Sequence, residues 1–134
     1  MSRAGAGGVA LVAALVLISA GCGSATDLSS SPDLSRGKQL FVRGDPKKYP
    51  HGMACGACHT LADAGTSGTA GPNLDAAFAY VHAKSSDARL ESSGIRSVVL
   101  DQIRYASGAM PANLVTGQDA QDVAAYVAQA VSGS

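Results

Sequence analysis

Cys55-Gly56-Ala57-Cys58-His59 is a C-x-x-C-H run, the pattern through which a haem of the c type is attached covalently. Two thiols at this spacing can both reach the edge of one porphyrin and add across its two vinyl groups as thioethers. The histidine that follows lies beneath the macrocycle, where a ring nitrogen can bind iron. Gly56 and Ala57 are small, so the chain can fold tightly between the thiols. A thioredoxin-like dithiol would sit in a βαβ pattern, and none is visible. A structural zinc site needs four ligands, usually from a second Cys/His pair. The only other cysteine is Cys22, far upstream.

The N-terminal residues account for Cys22. Arg3 gives a weak positive start, and residues 9–20 form an apolar run of signal-peptide length, short for a bilayer span. Ser19-Ala20-Gly21 leads into Cys22 like a bacterial lipobox, in which the cysteine is lipidated and the signal is cut before it. Ser19 departs from the Leu, Val or Ile usual at its position; Ile18 lies one residue earlier. The competing cut falls after Ala25. A leftover thiol in an exported chain favours lipidation, so we expect a signal over 1–21, with Cys22 anchoring the chain to a membrane. The Ser-rich stretch that follows has almost no apolar content and reads as a flexible linker over 22–31. Residues 32–134 remain as one domain. Export suits the haem motif, because bacterial haem of this type is attached outside the cytoplasmic membrane. A domain of this size has limited apolar area to bury, and a covalent haem would add a large apolar disc to its core.

The chain carries 10 Lys+Arg and 10 Asp+Glu, so it is formally neutral. The distribution is uneven. Arg36, Lys38, Arg43, Lys47 and Lys48 precede the motif, whereas acids predominate after His59. No broad basic face with interleaved aromatics points to nucleic acid. The basic cluster is a solvated surface, or a face that steers an acidic redox partner.

Periodicity predicts helices joined by Gly- and Pro-rich loops, an all-α fold of four to five helices. The first runs over 32–42 with Ser31 as N-cap and Pro32 at the first position; Leu34, Gly37, Leu40 and Phe41 share a side. Residues 43–53 are a loop, and the haem motif sits on one short helical turn. Residues 61–73 are loop. A helix over 74–83 turns Leu74, Phe78 and Val81 inward, 85–94 is loop-like, and 95–106 is helical with Ile95, Val98, Val99, Gln102 and Ile103 in a stripe. The last helix starts near Thr116, which forms a capping box with Asp119. It carries Val123, Tyr126, Val127 and Ala130 inward.

One histidine leaves the opposite face of the iron open. Met110 precedes Pro111 and follows a helix end at Ser107-Gly108. Proline restrains its predecessor to extended conformations, so this loop can hold a thioether at the iron. Met53 and His51 lie too close to Cys55 to wrap to the far face. His82 is a minor alternative as a second imidazole.

With these residues in place the chain resembles a class I c-type cytochrome, a single-haem bacterial member, over 34–130. The resemblance is carried, in order, by Gly37 and Phe41; Cys55, Cys58 and His59; Gly71-Pro72-Asn73-Leu74; Ile103 and Met110-Pro111; and Val123 with Tyr126. It implies first and last helices that cross closely at Gly37, with Phe41 and Tyr126 packed there. It implies a hydrogen bond from His59 to the Pro72 carbonyl, and one covalent haem c with iron held by His59 and Met110. It further implies an electron carrier rather than an enzyme, monomeric, exported, and exchanging electrons with redox proteins at a membrane, with no small-molecule substrate. The runner-up is a haem enzyme or gas sensor with an open distal position. The loop over 42–54 is longer than the family's usual link, and its Lys47-Lys48 pair and His51 are either partner-facing or plain surface.

Overall fold

Asp33, not Ser31, starts the first helix. In the computed structural model, which describes residues 31–133 apart from 50, 85, 86 and 107 and only the backbone of 82 and 83, the Asp33 carboxylate accepts from the Arg36 N–H at 3.0 Å. That bond satisfies one of the free donors of the first turn. Helix α1 therefore spans Leu34–Arg43, two residues later than the Pro32 start expected from sequence. Three more helices follow: α2 (Leu74–Lys84), α3 (Ala88–Tyr105) and α4 (Gly117–Ser132).

Three expectations need correction. The polar stretch 85–94 is not loop: α3 already begins at Ala88, because the Asp87 side chain accepts from the N–H groups of Arg89 and Leu90. Its first turns face water, so they lack the apolar periodicity that marks a helix in sequence. The stretch 61–73 is not wholly loop either. Two-residue strands β1 (Thr60–Leu61) and β2 (Thr66–Ser67) pair antiparallel, Thr60 opposite Ser67 and Leu61 opposite Thr66. Thr116 does precede α4, but its side chain makes no capping bond. Asp119, its expected partner in a capping box, points elsewhere.

Helix α4 lies between α1 and α3 and packs on both. It is accordingly buried over much of its circumference, with Ala120, Val123, Ala124, Val127, Ala128 and Val131 in the core and Asp119 and Asp122 buried beside them. From α1 come Leu40 and Phe41, from β1 Leu61, and from α3 Ile95 and Ile103. Burying each large side chain of this set stabilises the fold by about 1.5–3 kcal/mol. Leu34 and Val98, expected inward, are exposed.

At the α1–α4 crossing a Cβ on Gly37 would run into the Asp122 carbonyl and lie 2.8 Å from the Tyr126 Cβ. Only glycine permits this approach. Beside it the Phe41 and Tyr126 rings meet edge to face, 5.9 Å between centroids and 65° between planes. After α1 the chain turns at Gly44, which has φ +66°. It loops through Tyr49 and returns so closely that a Cβ on Gly44 would strike the Gly52 carbonyl. The haem motif follows on a single 3₁₀ turn, Cys55–Ala57.

Candidate haem site

The imidazole of His59 is oriented by the turn that follows the hairpin. Its Nδ1 lies 2.9 Å from the Pro72 carbonyl oxygen. A carbonyl can only accept, so Nδ1–H is the donor, and in the neutral ring Nε2 then carries the lone pair through which a histidine binds a metal. The turn is drawn in by the Gly71 N–H, which donates to the Cys58 carbonyl at 2.8 Å. A Cβ on Gly71 would sit 2.5–2.9 Å from three atoms of the His59 ring. Glycine at 71 is thus the residue that lets the turn lie on the imidazole, and proline at 72 supplies a carbonyl without adding a competing donor.

The backbone leaving His59 is braced by two threonines. Thr66 Oγ1 donates to the His59 carbonyl at 2.9 Å and accepts from the Leu61 N–H at 3.1 Å. Thr60 Oγ1 donates to the Gly68 carbonyl at 2.9 Å. Neither threonine was singled out from sequence, since a hydroxyl bonding across a two-residue hairpin leaves no periodic trace.

Cys55 and Cys58 are half-buried and in no disulfide. Cys55 packs against the main core cluster, and burial pushes its thiol up to about 11 by disfavouring the thiolate. Met110 is half-buried too and packs against the same cluster. Its loop is closed by the Asn113 N–H, which donates to the Ile103 carbonyl at 2.7 Å near the end of α3. His51 is exposed, and Met53 is 52% exposed. The His82 side chain and Cys22 lie outside the described residues. The donor set fits a covalently held haem: two thiols, an imidazole with a free Nε2 lone pair, and a thioether on the edge of the same core.

A family model described as cytochrome c matches residues 34–130. The chain belongs to the cytochrome c family. Its cofactor is accordingly one covalent haem c, for which Cys55 and Cys58 fit the attachment motif, and the family's chemistry is haem-based electron transfer. The crystal structure of the c-type cytochrome SorU from Sinorhizobium meliloti is similar at 30% identity. That match covers 74% of this chain and 91% of SorU, with a TM-score of 0.50. No curated protein matches the chain.

Two ionic clamps flank the helix crossing of this cytochrome c domain. On one side Asp119 of α4 is buried among Arg36 of α1 and Lys48 and Tyr49 of the 44–52 loop. Arg36 Nη2 donates at 3.0 Å, Lys48 Nζ at 2.9 Å and the Tyr49 hydroxyl at 2.7 Å. Arg36 also pairs with Asp45 at 2.9 Å. Tyr49 is itself in the core, 7% exposed. On the other side Asp63, in the turn between β1 and β2, accepts from Tyr126 of α4 at 2.6 Å and Lys38 of α1 at 3.0 Å. Three members of the basic cluster, Arg36, Lys38 and Lys48, are therefore paired within the domain. The loop after α1 is bound to the domain through Asp45, Lys48 and Tyr49, while Lys47 and His51 are exposed.

Proposed function

We propose that this domain is a one-electron carrier whose haem iron is held between His59 and Met110. The observation that carries this is the His59–Pro72 bond, which leaves Nε2 free to ligate, together with a Met110 loop packed on the same core as Cys55. Cys55 and Cys58 would hold the group by thioether bonds. Bound haem c supplies reversible one-electron chemistry at its iron. The chain's own residues set the terms. Pro72 fixes the imidazole ring through the Nδ1–H bond to its carbonyl. The Met110 thioether favours the ferrous state over a second imidazole. The core around Leu40, Phe41 and Ile103 excludes water. With His59 and Met110 both holding the iron, no place would be left on the metal for a substrate, which supports a carrier over an enzyme or gas sensor.

We further propose that residues 1–21 direct export, that Cys22 is lipidated, and that 22–31 tether the 32–134 domain to the outer face of the cytoplasmic membrane. There a monomer would meet redox proteins in brief encounters, whose interfaces are small. Tethering raises its local concentration beside them. Among the described residues no helix is long and apolar enough to cross a membrane.

The ferric visible spectrum tests the ligand pair. A weak far-red band reporting sulfur–iron ligation is expected in the wild type and absent in Met110→Ala, which should gain carbon monoxide binding when reduced. A wild type without the band, or a variant with unchanged ligand binding, overturns the His59/Met110 assignment. Cys22→Ala should release the protein from membranes on fractionation; retention would point to an uncleaved signal anchor.

A further inference from the structure

Helix α3 buries Ile95 and Ile103 and turns another face outward. On that face Arg89, Ser92, Ser93, Arg96, Ser97 and Leu100 line a groove of about 540 Å³. Among the described residues no carboxylate lines it. Arg89 and Arg96 are seven residues apart, about 10 Å along the axis. Arg96 is held in place, its Nη2 donating to Gln121 Oε1 of α4 at 2.8 Å, which uses one of five donors on the guanidinium. Leu100 belongs to the groove and also packs on the core cluster, so the apolar floor of the groove is backed by the core.

We propose that this groove docks an acidic helical segment of a partner protein. The fit is one of charge and spacing. Two carboxylates seven residues apart on a partner helix would meet Arg89 and Arg96, and guanidinium forks bind carboxylates in paired hydrogen bonds. The serine hydroxyls serve the polar edge of the segment, and an apolar residue one turn beyond the carboxylate at Arg96 covers Leu100. A narrow segment matches better than a bilayer. Arg89 and Arg96 lie within about 20° of each other around the helix axis, a line that a narrow segment follows along its length. The groove shares no residue with the haem motif, the Pro72 turn or the Met110 loop. Docking here does not depend on which residues ligate the iron.

The test uses the haem-loaded full-length chain in neutral detergent and a fluorescent helical peptide with glutamates seven residues apart and a leucine one turn beyond the second. Anisotropy should report binding that weakens with salt. Arg89→Gln with Arg96→Gln should weaken it by about tenfold or more, while the control Arg43→Gln with Lys47→Gln stays within about twofold. An unchanged haem spectrum and melting temperature exclude misfolding. In a charge swap, Arg89→Glu with Arg96→Glu should recover binding to the same peptide carrying lysines. No binding by the wild type, equal loss in the control pair, or failure of the swap overturns the proposal. So does arginine-dependent capture by phosphatidylglycerol vesicles with no binding of the peptide.

Discussion

Asp119 and Asp63 do the same job on opposite sides of the α1–α4 crossing, in different surroundings. Each joins α1 and α4 to a loop, and each is served by a lysine and a tyrosine. The Asp119 side chain is 8% exposed and the Asp63 side chain 47%. Burial by itself raises the Asp119 carboxyl, but the hydrogen bonds from Arg36, Lys48 and Tyr49 outweigh it and hold the group well below the ordinary range. Asp63 is lowered too, by the Tyr126 hydroxyl first and Lys38 second. The difference between them is what water can replace. If Asp63 is lost, solvent reaches Lys38 and only the Tyr126 hydroxyl is left without its acceptor. If Asp119 is lost, a buried tyrosine hydroxyl and the half-buried Arg36 guanidinium lose their common partner.

The crossing that both clamps share should be the most sensitive point. Gly37→Ala forces a methyl group into the Asp122 backbone and is expected to cost about 3 kcal/mol or more in urea unfolding of the haem-loaded protein. Asp119→Asn should come next, at about 2–3 kcal/mol, because it weakens several charge-assisted bonds in a buried place. Asp63→Asn should cost at most about 1 kcal/mol, as an exposed pair does. Equal losses at the two aspartates would show that burial does not separate the clamps.

Titration sharpens the contrast. A carboxyl held below its unfolded value of about 3.9 stabilises the fold fully above that pH, and the contribution is lost as pH falls toward the folded value. The acid limb of a stability–pH curve, below about pH 4, should therefore flatten most in Asp119→Asn and less in Asp63→Asn. The Asp63 clamp has an alkaline limb as well. Tyr126 is pushed above its usual value, by burial first and by Asp63 second. Its contribution is complete below about pH 10 and is lost as pH rises through the folded value. Tyr126→Phe should flatten that limb and leave the acid limb of Asp119 in place, the smallest effect of the series.

How much of this was legible in the sequence depends on the range of each interaction. The C-x-x-C-H run, the Gly71-Pro72 turn and the glycine at the crossing are local signatures, and each sits where its chemistry requires. Helix α4 was readable because Val123, Tyr126, Val127 and Ala130 recur at helical spacing. Asp119 was misread as half of a capping box, since Thr116 lies three residues before it in the right pattern. Its true partner Arg36 lies 83 residues away, and nothing in a linear pattern marks such a pair. The early turns of α3 were missed for the opposite reason. They are a helix fixed by a cap and exposed to water, with polar residues where a buried stripe would have announced them. The β1–β2 hairpin is too short to alternate.

The meeting of Gly44 and Gly52 makes residues 45–51 a detour rather than a span. The chain leaves α1 and comes back to nearly the same place before entering the haem motif, so the distance from α1 to Cys55 is set by the two glycines and not by the length between them. Segment length at this place is then free to change without moving the cofactor site, on one condition. Asp45, Lys48 and Tyr49 go with the detour, and Asp119 would stay behind with Arg36 alone. Loop length and the residue at 119 are therefore energetically coupled, since a shortened loop would leave a buried carboxylate short of partners.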